Sequence, residues 1–143
     1  TVEANYNQDM TPYNIPFTAC HELSHLRGFM QEEEANFIAW LACKDAPETE
    51  LQYSGSMLAW IHCMNVLYEE DRAAWSEIRE ILSEKADVDL RANSEFWDKW
   101  DGAVAEVSEQ INDNYLKANG QKDGVQSYGR MADLVVAYYL WKE

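Results

Sequence analysis

Apolar residues recur at helical spacing in one segment after another of this 143-residue chain. A clear case is the segment 57–67, where the apolar positions fall every three or four residues and therefore share one face of a helix: Met57, Trp60, Ile61, Met64 and Leu67. No segment alternates apolar and polar residues as a half-buried strand does. We therefore predict a mainly α fold, a single compact helical domain over residues 1–143 with little or no sheet.

Prolines, glycines and charges indicate where the helices begin and end. We predict a first helix from about Phe17 or Thr18 to Arg27, ended by Gly28, and an extended segment YNIPF before it that lines a cleft. The other predicted helices cover about 32–44, 48–69, 69–87 and 126–141, and one more carries an apolar stripe from Trp97 to Tyr115.

The formal net charge of −15 excludes classes of partner. Nucleic acid is excluded because its phosphates require Lys and Arg, and anionic membrane surfaces are disfavoured for the same reason. We expect a domain with acidic outer helix faces, with a preference for basic substrates as the alternative. Such a surface suggests no large apolar patch, so we expect a monomer.

The chain begins TVEANYNQ, without a Met or a signal peptide, and no apolar run approaches the about 20 residues that span a bilayer. We therefore expect an excised piece of a longer protein.

The chain has three cysteines, Cys20, Cys43 and Cys63. Their odd number and the lack of disulfide-framework spacing indicate reduced, buried thiols. Reduced thiols in turn favour a cytoplasmic location. Cys20 precedes His21 directly, and we favour a core residue there over an inhibitory thiol near a metal.

The segment HELSH carries the strongest chemical signal. His21 and His25 are four residues apart, so a helix places both imidazoles on one face, able to bind one Zn²⁺. Glu22 follows the first histidine and is our general base for a zinc-activated water. The plain alternative is two surface histidines, or one core histidine, on an ordinary amphipathic helix. Leu23 and Leu26 lead us to expect that this helix is buried.

The glutamates after the glycine turn are the candidates for the third ligand. Glu32 shares its helical face with small side chains, which allow close packing against the histidine helix: Ala35, Asn36, Ala39 and Cys43. We therefore favour Glu32, with Glu34 as the alternative and Glu33 after it. Asn36 could hydrogen-bond a ligand imidazole. Gln31 stands where a metzincin has its third histidine, so that class is excluded.

The stretch HELSHLRGFMQEEEANFIAWLAC, together with DGVQSYGRMADLVVAYY, resembles a bacterial family of membrane-anchored zincin-like proteins, domain of unknown function 3810. The resemblance covers most of the chain. It implies a zincin-like fold with one Zn²⁺ per chain, and it implies that the intact protein is membrane-associated through N-terminal helices absent from this chain. From its own charge and lack of a spanning run we expect no direct membrane contact by this fragment.

The pattern E-x-x-A-N at 32–36 is also similar to the E-x-x-A-D of gluzincin peptidases. That resemblance implies that Glu32 is the third zinc ligand and that Asn36 orients a ligand histidine. The departure is Asn for Asp, since a neutral partner makes the imidazole less basic.

A peptidase also needs a donor for the oxyanion, and the segment SYGRMADL offers two. Tyr128 would stabilise the oxyanion and Arg130 would bind a substrate carbonyl or carboxylate; the alternatives are a core tyrosine and a salt bridge. Tyr115 is a weaker candidate, and His62 on its apolar helix is expected to be a core residue.

The sequence therefore predicts a zinc metallopeptidase acting on a peptide or protein substrate. The alternative is a non-catalytic zinc-binding sensor or scaffold domain of a membrane protein, which Asn36 favours and Glu22 disfavours. A metal-free helical bundle with an accidental motif is the third possibility.

Overall fold

The computed structural model describes residues 3–99 and 129–143, and within these ranges the only regular elements are helices. They are α1 (Asn14–Leu26), α2 (Glu32–Lys44), α3 (Thr49–Glu70), α4 (Arg72–Glu80), α5 (Glu84–Asp98) and α6 (Arg130–Lys142). The prediction of a mainly α fold is confirmed. No helix in the described ranges has the length and apolar character needed to cross a bilayer.

The core lies where α1, α2 and α3 pack against one another, with α6 against α2 and α3. Its buried residues come from all four helices: Phe17, Ala39, Trp40, Cys43, Ala59, Met131 and Val135. The small-residue face of α2 is buried here, as predicted. A Cβ added to Gly55 would lie 2.6 Å from Cys43 Cβ, so α2 and α3 approach each other closely at this point.

The end of α1 agrees with the sequence prediction. Gly28 adopts φ 102°, a left-handed conformation that glycine accepts at little cost. The Gly28 N–H donates to the His25 carbonyl at 3.0 Å, and the Phe29 N–H donates to the Ser24 carbonyl at 3.2 Å. These two bonds tie the chain after Gly28 to the last turn of α1 and reverse it towards α2.

The start of α1 differs from the prediction. The segment YNIPF is not extended, because the helix begins at Asn14 rather than Phe17. Pro16 is tolerated since it lies in the first turn, where a main-chain N–H has no partner within the helix. The Asn14 and Ile15 N–H groups donate back to Thr11 and Pro12 carbonyls at 2.9 and 3.2 Å, so the preceding turn leads directly into the helix.

The expectation that Leu23 and Leu26 are buried was wrong. The two residues are 52% and 39% exposed. The residues that α1 buries are Asn14, Phe17 and Ser24, which lie on the opposite face of the helix. Apolar character identified a stripe on α1, but α2 and α3 cover a different face.

The prediction of a single helix over 69–87 was also wrong. Its first two residues end α3, and the rest forms α4 and the start of α5, with breaks at Asp71 and at 81–83. Ile81 is 79% exposed. Asp71 caps α4 by accepting from the Ala73 and Ala74 N–H groups, and Ser83 caps α5 by accepting from Ala86 N–H. The Ser83 cap starts a new helix where apolar spacing alone indicated a continuous one.

Other expectations fall partly outside the described residues. Trp97 lies in α5 and is about half exposed, whereas Trp100–Tyr115 lie outside the described ranges. The helix predicted over 126–141 is present from Arg130, and 126–128 are not described. All three cysteines are free: Cys43 is buried, Cys20 and Cys63 are half-buried, and Cys20 packs against the core beside Cys43 as predicted. His62 is half-buried on α3.

Candidate metal centre

Two imidazoles and one carboxylate converge where α1 ends and α2 begins. His21 Nε2 lies 3.0 Å from His25 Nε2. Glu32, the first residue of α2, places Oε2 3.3 Å from His21 Nε2 and Oε1 3.5 Å from His25 Nε2. The turn at Gly28 brings the two helix ends together, so three residues from two helices meet at one point.

These separations suit a small tetrahedral cation. With metal–ligand bonds of 2.0–2.1 Å, ligand atoms around tetrahedral Zn²⁺ lie about 3.3 Å apart. One ligand atom from each of His21, His25 and Glu32 can be chosen so that all three lie within 4.8 Å of one another. The donor set of two imidazole nitrogens and a carboxylate oxygen also suits Zn²⁺, so these residues fit the metal that the sequence predicted.

The local electrostatics keep the carboxylate ionised. A hydrogen bond with His21 holds the pKa of Glu32 below its ordinary value; half-burial opposes this shift, and the charges of the two histidines, when they are protonated, add to it. The side chains of all three residues are largely shielded, with exposures of 14%, 24% and 20% for His21, His25 and Glu32. An ionised carboxylate in this position is ready to bind a cation.

The second nitrogen of His25 is held by the main chain. His25 Nδ1 lies 2.7 Å from the Phe29 carbonyl oxygen, a contact that sequence reasoning missed. The sequence feature that could have indicated this contact is Gly28, because the turn there directs the Phe29 carbonyl back towards α1. His21 differs: its Nδ1 is buried and finds no hydrogen-bond partner among the described residues.

Asn36, predicted to orient a ligand histidine, is buried on the same face of α2 as Glu32. In this arrangement it makes no hydrogen bond to His21 Nδ1, and the corresponding atom of His25 is occupied by Phe29. The role of Asn36 towards a bound metal therefore stays a prediction.

The other candidate residues lie around the cluster. Glu22 is half-buried on α1, about 100° around the helix from His21 and about 60° from His25. Glu34 is exposed. Glu33 is buried, and its Oε1 lies 3.6 Å from Nη1 of Arg130, so the structure shows the ion pair that was the alternative to a substrate role for Arg130. Tyr128 and Tyr115 lie outside the described residues.

One family model matches residues 1–136 of the chain, and its description is protein of unknown function (DUF3810). The chain belongs to the DUF3810 family. No curated protein and no solved structure matches it. This match confirms the family that the two sequence motifs indicated. The description of the DUF3810 family names no activity, metal or substrate.

Proposed function

We propose that this DUF3810 domain is a zinc-dependent metallopeptidase of the gluzincin type. His21, His25 and Glu32 would hold one Zn²⁺ per chain, and Glu22 would act as the general base. The observation that carries the proposal is the convergence of two imidazoles and a carboxylate, from two different helices, with spacings of 3.0–3.5 Å.

The number of ligands favours a catalytic site over a structural one. Structural zinc sites are usually closed by four protein ligands, whereas catalytic sites use three and leave a position for water or substrate. In the described parts of the chain, no fourth His, Cys, Asp or Glu joins the cluster. The three side chains remain 14–24% exposed, so solvent reaches the cluster.

Bound Zn²⁺ would supply Lewis-acid chemistry, lowering the pKa of a water molecule and polarising a carbonyl. Glu22, on the same helix and next in sequence to His21, would accept the proton of the attacking water. As the water oxygen bonds to the carbonyl carbon and the C–N bond breaks, the same carboxyl would return the proton to the departing amine. A peptide or protein is the substrate that the gluzincin resemblance implies.

Tyr128 and Arg130 remain our proposed oxyanion and substrate-binding groups. Arg130 begins α6, and its side chain is half exposed beside Glu33, so part of the guanidinium faces solvent. The whole protein would carry this domain on a membrane through segments outside this chain, with the domain itself acting as a monomer.

A second function is a non-catalytic zinc sensor or scaffold. Two observations favour it: His21 Nδ1 has no hydrogen-bond partner among the described residues, and this chain has Asn36 where the gluzincin pattern has Asp. An imidazole without an anionic partner is a weaker base, so it donates less electron density to a bound metal.

The decisive experiment measures zinc content and peptide hydrolysis together. Wild type should bind about one Zn²⁺ per chain, Glu32→Ala should lose it, and Glu34→Ala, one of the neighbouring glutamates and exposed, is the matched control that should keep it. Glu22→Gln should keep zinc and abolish hydrolysis of a peptide library, a loss of at least about 10²-fold.

Each result separates the two functions. Zinc in wild type without any hydrolysis would support the sensor or scaffold. Hydrolysis that survives Glu22→Gln would contradict the assigned base. A wild type that takes up no zinc would contradict both functions and leave an ordinary helical bundle.

A further inference from the structure

We propose that the turn after α1 is a positioning device for His25, in which Gly28 sets the chain so that the main-chain carbonyl of Phe29 fixes the tautomer of that imidazole. The inference deepens the proposed metal centre and rests on it for its purpose. The tautomer itself can be measured without a metal.

The geometry of the contact is well defined. Phe29 O lies 2.7 Å from His25 Nδ1, within the range of a good N–H···O hydrogen bond. The carbonyl reaches this place because Gly28 has φ 102°, and because the Gly28 and Phe29 N–H groups are tied back to the last turn of α1. Three hydrogen bonds therefore hold the turn against the end of the helix that carries the histidine.

A carbonyl only accepts hydrogen bonds, so His25 Nδ1 must carry the hydrogen. A neutral imidazole has one ring N–H, which leaves Nε2 with a free lone pair. Nε2 is the atom that faces His21 and Glu32. The turn thus prepares His25 as a ligand, whereas His21 Nδ1 is buried with no partner among the described residues. Of the two histidines, His25 is the one that the fold orients in advance.

Substitutions at Gly28 and Phe29 separate the effect of the backbone conformation of the turn from the effect of side-chain size. A Cβ at Gly28 would meet nothing within 4 Å, so Gly28→Ala changes only the backbone preference and introduces no clash. Asn tolerates left-handed conformations better than Ala, so Gly28→Asn is the conservative variant. Phe29→Ala removes the ring but keeps the carbonyl, and it is the matched control.

The first measurement is zinc affinity by competition with a chromophoric chelator. Gly28→Ala should weaken zinc binding about 10- to 100-fold, as is typical when the partner of a metal-bound histidine is lost. Gly28→Asn should lose less than Gly28→Ala, and Phe29→Ala should match wild type. Ser83→Ala, which removes the cap of α5 away from this turn, should lower stability without changing zinc affinity.

The second measurement is the imidazole ¹⁵N spectrum of the metal-free protein, at a pH where histidine is neutral. Wild type and Phe29→Ala should show His25 with its hydrogen on Nδ1, and Gly28→Ala should show a mixture of tautomers. A purely structural role for Gly28 would lower stability but leave the tautomer unchanged.

Three results would overturn the inference: a wild-type His25 with its hydrogen on Nε2, an unchanged tautomer in Gly28→Ala, or a zinc affinity that falls as far in Phe29→Ala as in Gly28→Ala. Absence of zinc binding in wild type would contradict the proposed function instead. In that case the tautomer measurement still decides whether the turn orients His25.

Discussion

Three consecutive glutamates at the start of α2 have three different environments. Glu32 faces the two histidines, Glu33 is buried beside Arg130, and Glu34 is exposed to solvent. Successive residues of a helix point about 100° apart, so a run of identical side chains is divided among the surfaces that surround it. The chemistry of each carboxylate follows from its neighbour rather than from its type.

At the residue scale, the pair of Glu33 and Arg130 gives a prediction about stability. Arg130→Met keeps the apolar stem but removes a charge 3.6 Å from the carboxylate of Glu33, whose side chain is 7% exposed, so unfolding should become easier by about 1–3 kcal/mol. The measurement is urea denaturation of metal-free protein.

Arg91→Met is the matched control, because Arg91 is exposed and pairs with Asp87 across one helical turn. It should change stability by less than about 0.5 kcal/mol. If Arg130→Met proves equally mild but removes peptide hydrolysis, the guanidinium serves the substrate rather than Glu33.

Helices α2 and α3 cross closely because small residues meet at the contact. Gly55 and Ser54 are buried on α3, and Gly55 faces Cys43 of α2. This contact helps to position α2 against α3, and Glu32 at the start of α2 is positioned with it.

At the element scale, Gly55→Ala tests this crossing. In an open helical position the change would add up to about 1 kcal/mol of stability. Here the new Cβ would lie 2.6 Å from Cys43 Cβ, so we expect a loss of about 1–3 kcal/mol from overpacking. Thermal and urea denaturation measure the difference.

The rescue variant is Cys43→Gly, since Cys43→Ala would leave the clashing Cβ in place. Gly55→Ala should be tolerated better in the Cys43→Gly background than in wild type. Equal losses in both backgrounds would show that the two positions are not coupled. Ser56→Ala, at an exposed position on the same helix, is the control and should have little effect.

Helices α3 and α5 are joined by a polar contact that predicts alkaline sensitivity. The Tyr53 hydroxyl donates to Asp89 at 2.5 Å; burial, and then this hydrogen bond, raise the pKa of Tyr53 from 10.0 to about 12. Burial and the Asp89 charge raise the pKa of Tyr13 to about 12 as well. A raised folded-state pKa means that the neutral hydroxyl is favoured by the fold.

The free energy of unfolding should therefore be fully retained below about pH 10 and fall as the pH rises to about 12, because the unfolded chain releases these protons first. Tyr53→Phe should make this fall shallower. The Cys43 thiol, whose pKa burial raises to about 12, contributes at alkaline pH too, so the comparison between variants isolates Tyr53. Tyr68→Phe, which removes a hydroxyl at an exposed position on the same helix, is the matched control. A slope unaffected by Tyr53→Phe would contradict the prediction.

At the scale of the whole molecule, a metal held by α1 and α2 would connect two helices that pack against each other. An ion that binds only the folded state stabilises it by mass action, by about 2.7 kcal/mol at a free concentration of 100 times Kd. Zinc should therefore raise the Tm of wild type by several degrees, and removal by a chelator should reverse the rise.

The control matters because 26 acidic residues offer many weak sites for cations. Glu34→Ala should show the same rise as wild type, and Glu32→Ala should show little. A rise of equal size in Glu32→Ala would place the ion elsewhere on the acidic surface.

The sequence by itself determined the helical class, the bounds of α2, the end of α1 at Gly28, and the face on which Glu32 lies. These features are local: apolar spacing, a left-handed glycine and a row of small side chains report on a helix and its own ends. The face shared by Ala35, Ala39 and Cys43 was enough to favour Glu32 over its two neighbours, and the structure brings Glu32 to the histidines.

Only the tertiary structure decided that Leu23 and Leu26 face solvent, that Glu33 is buried against Arg130, and that a main-chain carbonyl holds His25. Periodicity says which residues share a face, but not which helix covers that face. Burial and pairing depend on neighbours that are distant in sequence, such as α6 at Glu33. The position of a carbonyl depends on backbone angles that most side chains do not fix, and a glycine indicates only that a left-handed turn is allowed there.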